Sequence, residues 1–122
     1  MSGNRKILIT FDCNDQSADK LLDYAKEYIL KDSDTVYLMT VTREEPILEK
    51  DKMDWAIKKI PAAAPLMIKG DARDKILEIS NEIGIDVIVM GSRHLRPVHK
   101  ALIGSVSSYV VNHSTCSVFI VK

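Results

Sequence analysis

Asp86-Val87-Ile88-Val89-Met90-Gly91 is the stretch whose reading decides the fold. Val87 to Met90 is an unbroken apolar run rich in β-branched residues, entered from an aspartate and left through a glycine. A strand with one wet face alternates apolar and polar side chains. An unbroken apolar run of this length is what a strand buried on both faces requires. Upstream, Asp71 can cap a helix whose buried face is Ala72, Ile76, Ile79 and Ile83, and Gly84 suits its end. Downstream, Gly91 to Ile103 reads as a loop, and a helix runs from about Ser105 to His113. Cys116-Ser117-Val118-Phe119-Ile120-Val121 reads as the strand that follows.

The same alternation extends toward the N-terminus. Ile7-Leu8-Ile9-Thr10-Phe11 is nearly continuously apolar and reads as the first strand. From Asp15 to Lys31, the residues Ala18, Leu21, Leu22, Ala25 and Ile29 form one helical stripe, with Asp15 or Ser17 as the cap. Thr35 to Val41 is the second strand. Met53, Ala56, Ile57 and Ile60 mark a shorter helix ended by Pro61, and Trp55 on it is expected to pack. Pro65 to Lys69 is the third strand, expected at an edge, where a proline's missing N–H is tolerated.

Strict β-α-β-α-β-α-β-α-β alternation implies one α/β domain over residues 1–122, with an open parallel five-stranded sheet and helices on both faces. Right-handed crossovers restrict the topologies. Placing strands three and two on one side of strand one, and four and five on the other, gives the order 3-2-1-4-5. The switch point then lies between strands one and four. Ligands of such sheets bind there, at the carboxyl ends of the strands. That rule singles out Asp12 and Gly91.

Composition narrows the classes. At 122 residues there is room for one domain. Lys+Arg and Asp+Glu are 17 each, so bulk charge does not call for nucleic acid or an anionic membrane as a partner. The two cysteines, Cys13 and Cys116, form neither a metal-ligand spacing nor a disulfide framework and read as reduced thiols. No apolar run reaches the roughly 20 residues of a membrane span, and the N-terminus does not read as a signal peptide. The expected compartment is the cytoplasm.

Two glycine-containing segments carry the candidate chemistry. Gly91-Ser92-Arg93-His94 is followed, after nine residues, by Gly104-Ser105-Val106-Ser107 at the start of a helix. Free N–H groups and the positive end of the helix dipole meet there and favour phosphate, and Ser105 and Ser107 add hydroxyl donors. The plainer reading is a turn glycine and a capping serine, which are common at loop–helix junctions. Arg93, His94, Arg96, His99 and Lys100 make the loop basic, as an anion-facing lid or as a solvated loop. No aromatic residues interleave with these charges, so nucleic-acid binding is not expected.

Asp86 to Arg93, together with Leu102-Ile103-Gly104-Ser105-Val106-Ser107-Ser108-Tyr109-Val110-Val111, resembles the C-terminal signature of the universal stress protein family. Ile7 to Asp12, Gly70-Asp71 and Cys116 to Val121 extend the likeness over most of the chain. The resemblance implies an adenine nucleotide alpha hydrolase-like fold and a regulatory module of the stress response that binds ATP or AMP, with Mg2+ arriving only with the nucleotide. The positions it implies for binding are Thr10, Asp12, Val41, Gly91, Ser92, Arg93, His94, Gly104, Ser105, Val106 and Ser107. Asp12 and Val41 match positions that hold adenine and ribose. Gly91, Gly104, Ser105, Val106 and Ser107 match positions around the phosphates.

The chain departs from the family's G-x2-G-x9-G-[ST] motif at His94, which stands where the second glycine belongs. Histidine lacks glycine's backbone freedom; it either obstructs a phosphate or contacts one. Arg43 to Ala63 is also shorter than the corresponding family region. The resemblance further implies a homodimer paired through the last strand, Val118 to Val121. A dimeric interaction module that has lost nucleotide binding is the alternative. No nucleophile, histidine and carboxylate constellation accompanies Asp12, so no catalytic residue is expected and any ATP hydrolysis would be slow. No metal site is expected. A receiver-like domain would carry paired acids after strand one, where this chain has Asp12-Cys13-Asn14. An adenylating enzyme would carry a glycine-rich loop there.

Overall fold

Lys6–Thr10 forms strand β1, and every side chain from Ile7 to Thr10 is buried. It sits between β2 (Thr35–Thr42) and β4 (Val87–Gly91), parallel to both, so that Ile9 lies opposite Leu38 on one side and Val89 on the other. Outside these lie β3 (Ala64–Lys69) and β5 (Ser117–Val121). The structure, a computed structural model, describes residues 4–12, 18–43, 50–91 and 105–122. The described residues form a five-stranded sheet in the order β3-β2-β1-β4-β5, as the alternation pattern predicts.

Two apolar layers cover the sheet. Ile7, Ile9, Phe11, Val36, Leu38 and Val89 face α1 (Ala18–Tyr24) and α2 (Lys50–Lys59). Leu8, Met39, Ile88 and Met90 face α3 (Ala72–Ile83) and α4 (Ser105–His113), where Ile76 and Val110 are fully buried. Successive strand residues therefore enter different cores, which is why the central strands read as unbroken apolar runs. Pro65 sits in β3 at the sheet edge, as expected.

The helix ends follow local chemistry. The Asp71 side chain accepts the Arg73 N–H, and Gly84 closes α3 in the left-handed conformation at φ 80°. The first helix differs from its expected form. Residues 13–17, which hold its expected caps and Cys13, lie outside the described residues. From Ala25 to Ile29 the helix widens to a π turn, with the Leu30 N–H donating to the Ala25 carbonyl at 2.9 Å. The extra residue in that turn brings Leu30 as well as Ile29 against the core. Trp55 is also not the packing residue expected. It is 38% exposed and lies under Lys59, whose Nζ is 5.5 Å from the ring centroid. The stripe Met53, Ala56, Ile60 takes the inner face of α2, and Trp55 falls off that stripe.

At the amino end of the sheet, Arg5 ties three segments together. Its guanidinium donates to both Asp34 carboxylate oxygens, at 2.9 and 2.7 Å, and to the Ile29 carbonyl at 3.0 Å. Asp34 also accepts the Lys31 N–H at 2.8 Å, and its side chain has no solvent exposure. The Arg5 hydrogen bonds hold the Asp34 carboxyl below the usual carboxylate range, against the opposing effect of burial.

Asp34→Ala should therefore destabilise the protein by about 1–3 kcal/mol, between the values of exposed and fully buried pairs. Because the folded-state value is depressed, this contribution is present above the unfolded carboxylate value of about 3.9 and is lost as pH falls through the folded one. Urea denaturation of native and variant protein at pH 7 and at successively lower pH should show the stability gap closing in acid.

Candidate functional site

The helices leave the sheet in opposite directions on either side of the boundary between β1 and β4, and the carboxyl ends of these strands open into a cleft. Thr10, Phe11 and Asp12 enter it from β1 and its end, Met90 and Gly91 from β4, and Val41 from β2. One wall is Ala18 and Leu21 of α1. The other is Ala72 and Ile76 of α3 with Val106 and Ser107 of α4. The space within this open cleft is about 70 Å3. A small-molecule pocket usually holds several hundred, so this space is smaller than a drug-sized ligand requires.

Ser107 is 4% exposed, and its hydroxyl donates to the Gly91 carbonyl at 3.0 Å. The hydroxyl thereby ties the end of β4 to the first turn of α4. Ser105 opens α4, is exposed, and is not among the residues that line the cleft. Ser92, Arg93, His94 and Gly104 lie outside the described residues, as does the rest of the basic segment.

Thr10, Asp12, Val41, Gly91, Val106 and Ser107, far apart in sequence, thus meet in one place. Phe11, Ala18, Leu21, Ala72, Ile76 and Met90 share the cleft and are not among the expected site residues. Ala72 and Ile76 belong to the buried face expected for their helix. Apolar periodicity does not reveal that the start of this helix abuts the strand ends.

The rim is charged. Gly70 follows β3; its φ of 147° disfavours a side chain, and a Cβ there would meet the Lys75 side chain at 2.8 Å. Asp71 follows and accepts from Arg43 Nη2 at 3.0 Å. Hydrogen bonding from the Arg73 N–H, with the nearby Arg73 and Arg43 charges, holds the Asp71 carboxyl below its ordinary range. Among the described residues, no group of three or more His, Cys, Asp or Glu side chains is placed to hold a metal ion.

The sequence model described as the universal stress protein family matches residues 59–122, more than half of the chain. The chain belongs to this family. It is 40% identical over 57 residues to a universal stress protein of Methanothermobacter thermautotrophicus, a match covering 47% of this chain and 38% of that protein. It is 37% identical over 76 residues to the universal stress protein YxiE of Bacillus subtilis, covering 62% of this chain and 51% of that protein. The matched stretch thus spans about half or less of these relatives' own lengths.

Two solved structures show the same fold. The universal stress protein of Archaeoglobus fulgidus in complex with dAMP superposes with a TM-score of 0.74 at 22% identity, covering 97% of this chain and 98% of that one. A universal stress protein family protein of Arabidopsis thaliana with AMP bound gives 0.73 at 19% identity, covering 97% and 91%. The fold of this universal stress protein is accordingly the Rossmann-like, adenine nucleotide alpha hydrolase-like one.

Ser107→Ala removes the tie to the Gly91 carbonyl. A loss of about 1 kcal/mol of unfolding free energy is expected, read as a lower urea midpoint at unchanged slope.

Proposed function

We propose that this chain is a cytoplasmic, homodimeric regulatory module of the stress response that binds ATP or AMP in the cleft between β1 and β4. The observation that carries the reading is the convergence of Thr10, Asp12, Val41, Gly91, Val106 and Ser107 at the switch point of a parallel sheet, beside the N-terminus of α4. Val41 and the apolar floor suit a purine face, and Asp12 suits the ribose hydroxyls. The start of α4 suits phosphate, with Ser92, Arg93, His94, Gly104 and Ser105 proposed to continue that subsite. The dAMP and AMP complexes of the two solved proteins support the reading that this fold accommodates an adenylate. Mg2+ is proposed to arrive only with a nucleotide. No catalytic residue is assigned, and any ATP hydrolysis is proposed to be slow. No membrane or nucleic-acid partner is proposed; no helix among the described residues is long and apolar enough to cross a membrane.

The dimer is proposed to form through β5, residues Val118 to Val121. This strand is at the sheet edge beyond β4, and Phe119 at its centre is 41% exposed. An apolar edge strand of this kind calls for a cover. One sequence observation favours a second reading: His94 stands where the binding motif carries glycine. On that reading the fold and dimer are kept as an interaction module without nucleotide.

Calorimetric titration of nucleotide-stripped protein with ATP and with AMP separates the two. Micromolar binding by the native chain is the expected result. Silence in the native chain, with binding by His94→Gly, would establish the second reading. In sedimentation at micromolar concentration the native chain should run as a dimer and Phe119→Lys as a monomer. A native chain that is only monomeric would overturn the dimer.

A further inference from the structure

Asp71 joins elements that wall the cleft. It caps α3 through the Arg73 N–H at 3.0 Å and holds Arg43, the residue after β2, also at 3.0 Å. The Arg73 side chain then reaches across to α4. Its Nε lies 3.5 Å from an Asp71 carboxylate oxygen, and its guanidinium carbon lies 5.6 Å from the centre of the Tyr109 ring, within cation–π range. Tyr109 stands three residues after Val106, one helical turn further along α4. Its other ring contact is with His113, stacked at 4.1 Å, whose Nδ1 is 2.9 Å from the Tyr109 carbonyl. Deeper in the fold, α3 and α4 share the apolar core around Ile76 and Val110. Val106 packs against that core and Ser107 ties the first turn of α4 to the Gly91 carbonyl, so depth against the sheet is set from below, while the Arg73–Tyr109 contact joins α4 to the start of α3 at the rim.

We infer that Arg73 and Tyr109 form a clasp that sets where the first turn of α4 stands against α3, and through that turn the cleft's grip on the phosphate end of its ligand. Arg73 is a positioning residue here: it acts on Val106 and Ser107 through the Tyr109 ring. Asp71 orients the guanidinium, so the clasp is anchored to the same residue that caps α3 and holds the end of β2. The effect on ligand rests on the nucleotide reading; the effect on α4 does not.

The test uses the full chain with Arg73→Met, which keeps the apolar stem and removes the charge, and Tyr109→Leu, which removes the ring. Tyr109→Phe keeps the ring and is the control. Hydrogen exchange of the Tyr109 and Val110 amides, whose bonds close the first turns of α4, should lose about threefold in protection in Arg73→Met and in Tyr109→Leu. The control should match the native chain, and the double variant should be no worse than either single one. Titrations with adenosine, AMP and ATP should show AMP and ATP weakened about threefold and adenosine unchanged. Unchanged exchange in the single variants, or additive losses in the double variant, would overturn the clasp. So would weaker ATP binding in Arg73→Met with Tyr109→Leu silent, which would make Arg73 a direct phosphate contact. Altered exchange in a chain that binds neither AMP nor ATP would uphold the clasp and reject the nucleotide reading.

Discussion

A parallel sheet can be stable only if both faces are kept from water, and β1 bears that constraint most fully. Ile7, Leu8 and Ile9 have no exposed surface, and they point alternately into the α1–α2 core and the α3–α4 core. Each connection must cross over a face, so the chain covers one face with its first two helices and the other with its last two. The change of face at β1 is what parts the helices at the carboxyl ends of β1 and β4. The cleft is thus a by-product of burying the sheet, and its floor inherits the apolar character of the strands that end in it.

Polar contacts are placed where the strands stop. At the amino end, Arg5 and Asp34 hold the π turn and the start of β2, while the Lys6 N–H donates to the Asp86 carboxylate at 2.8 Å. At the carboxyl end, Ser107 holds Gly91, and Asp71 holds Arg43 and the cap of α3. Helix termini and strand ends carry the backbone groups that the regular ladders leave unpaired, so most of the polar ties are placed there; within the layers Thr40 and Ser80 are buried, and the Ser80 hydroxyl donates to the Ile76 carbonyl at 2.7 Å. These ties also determine how the elements around the cleft are spaced.

The two edges of the sheet differ in character. β3 is exposed at its start and carries Pro65, which cannot donate to a further strand. β5 carries no proline, and Phe119 continues outward into an aromatic surface: its ring lies 6.2 Å from that of Tyr24, which lies 4.8 Å from that of Tyr28. Tyr28 is 72% exposed. The apolar, proline-free edge is thus the one at β5.

Much of this was legible in the amino-acid order. Unbroken apolar runs marked the central strands, Asp71 and Gly84 marked the ends of α3, and Pro65 marked an edge, because each rests on burial or on the preferences of one residue's own backbone. Ser105 and His113 bounded α4 for the same reason. The π turn at Ala25–Ile29 was not legible, and the Arg5 guanidinium that holds its last carbonyl, that of Ile29, lies 24 positions earlier in the chain. Nor was the role of the Ser107 hydroxyl, whose partner sixteen positions earlier is set by how α4 docks on β4. The apolar periodicity determined the strands, the helices and the two-layered core. The tertiary structure alone decided which side chains share the cleft and which polar groups are already engaged, because those contacts join residues that only the packing of helices on the sheet brings together.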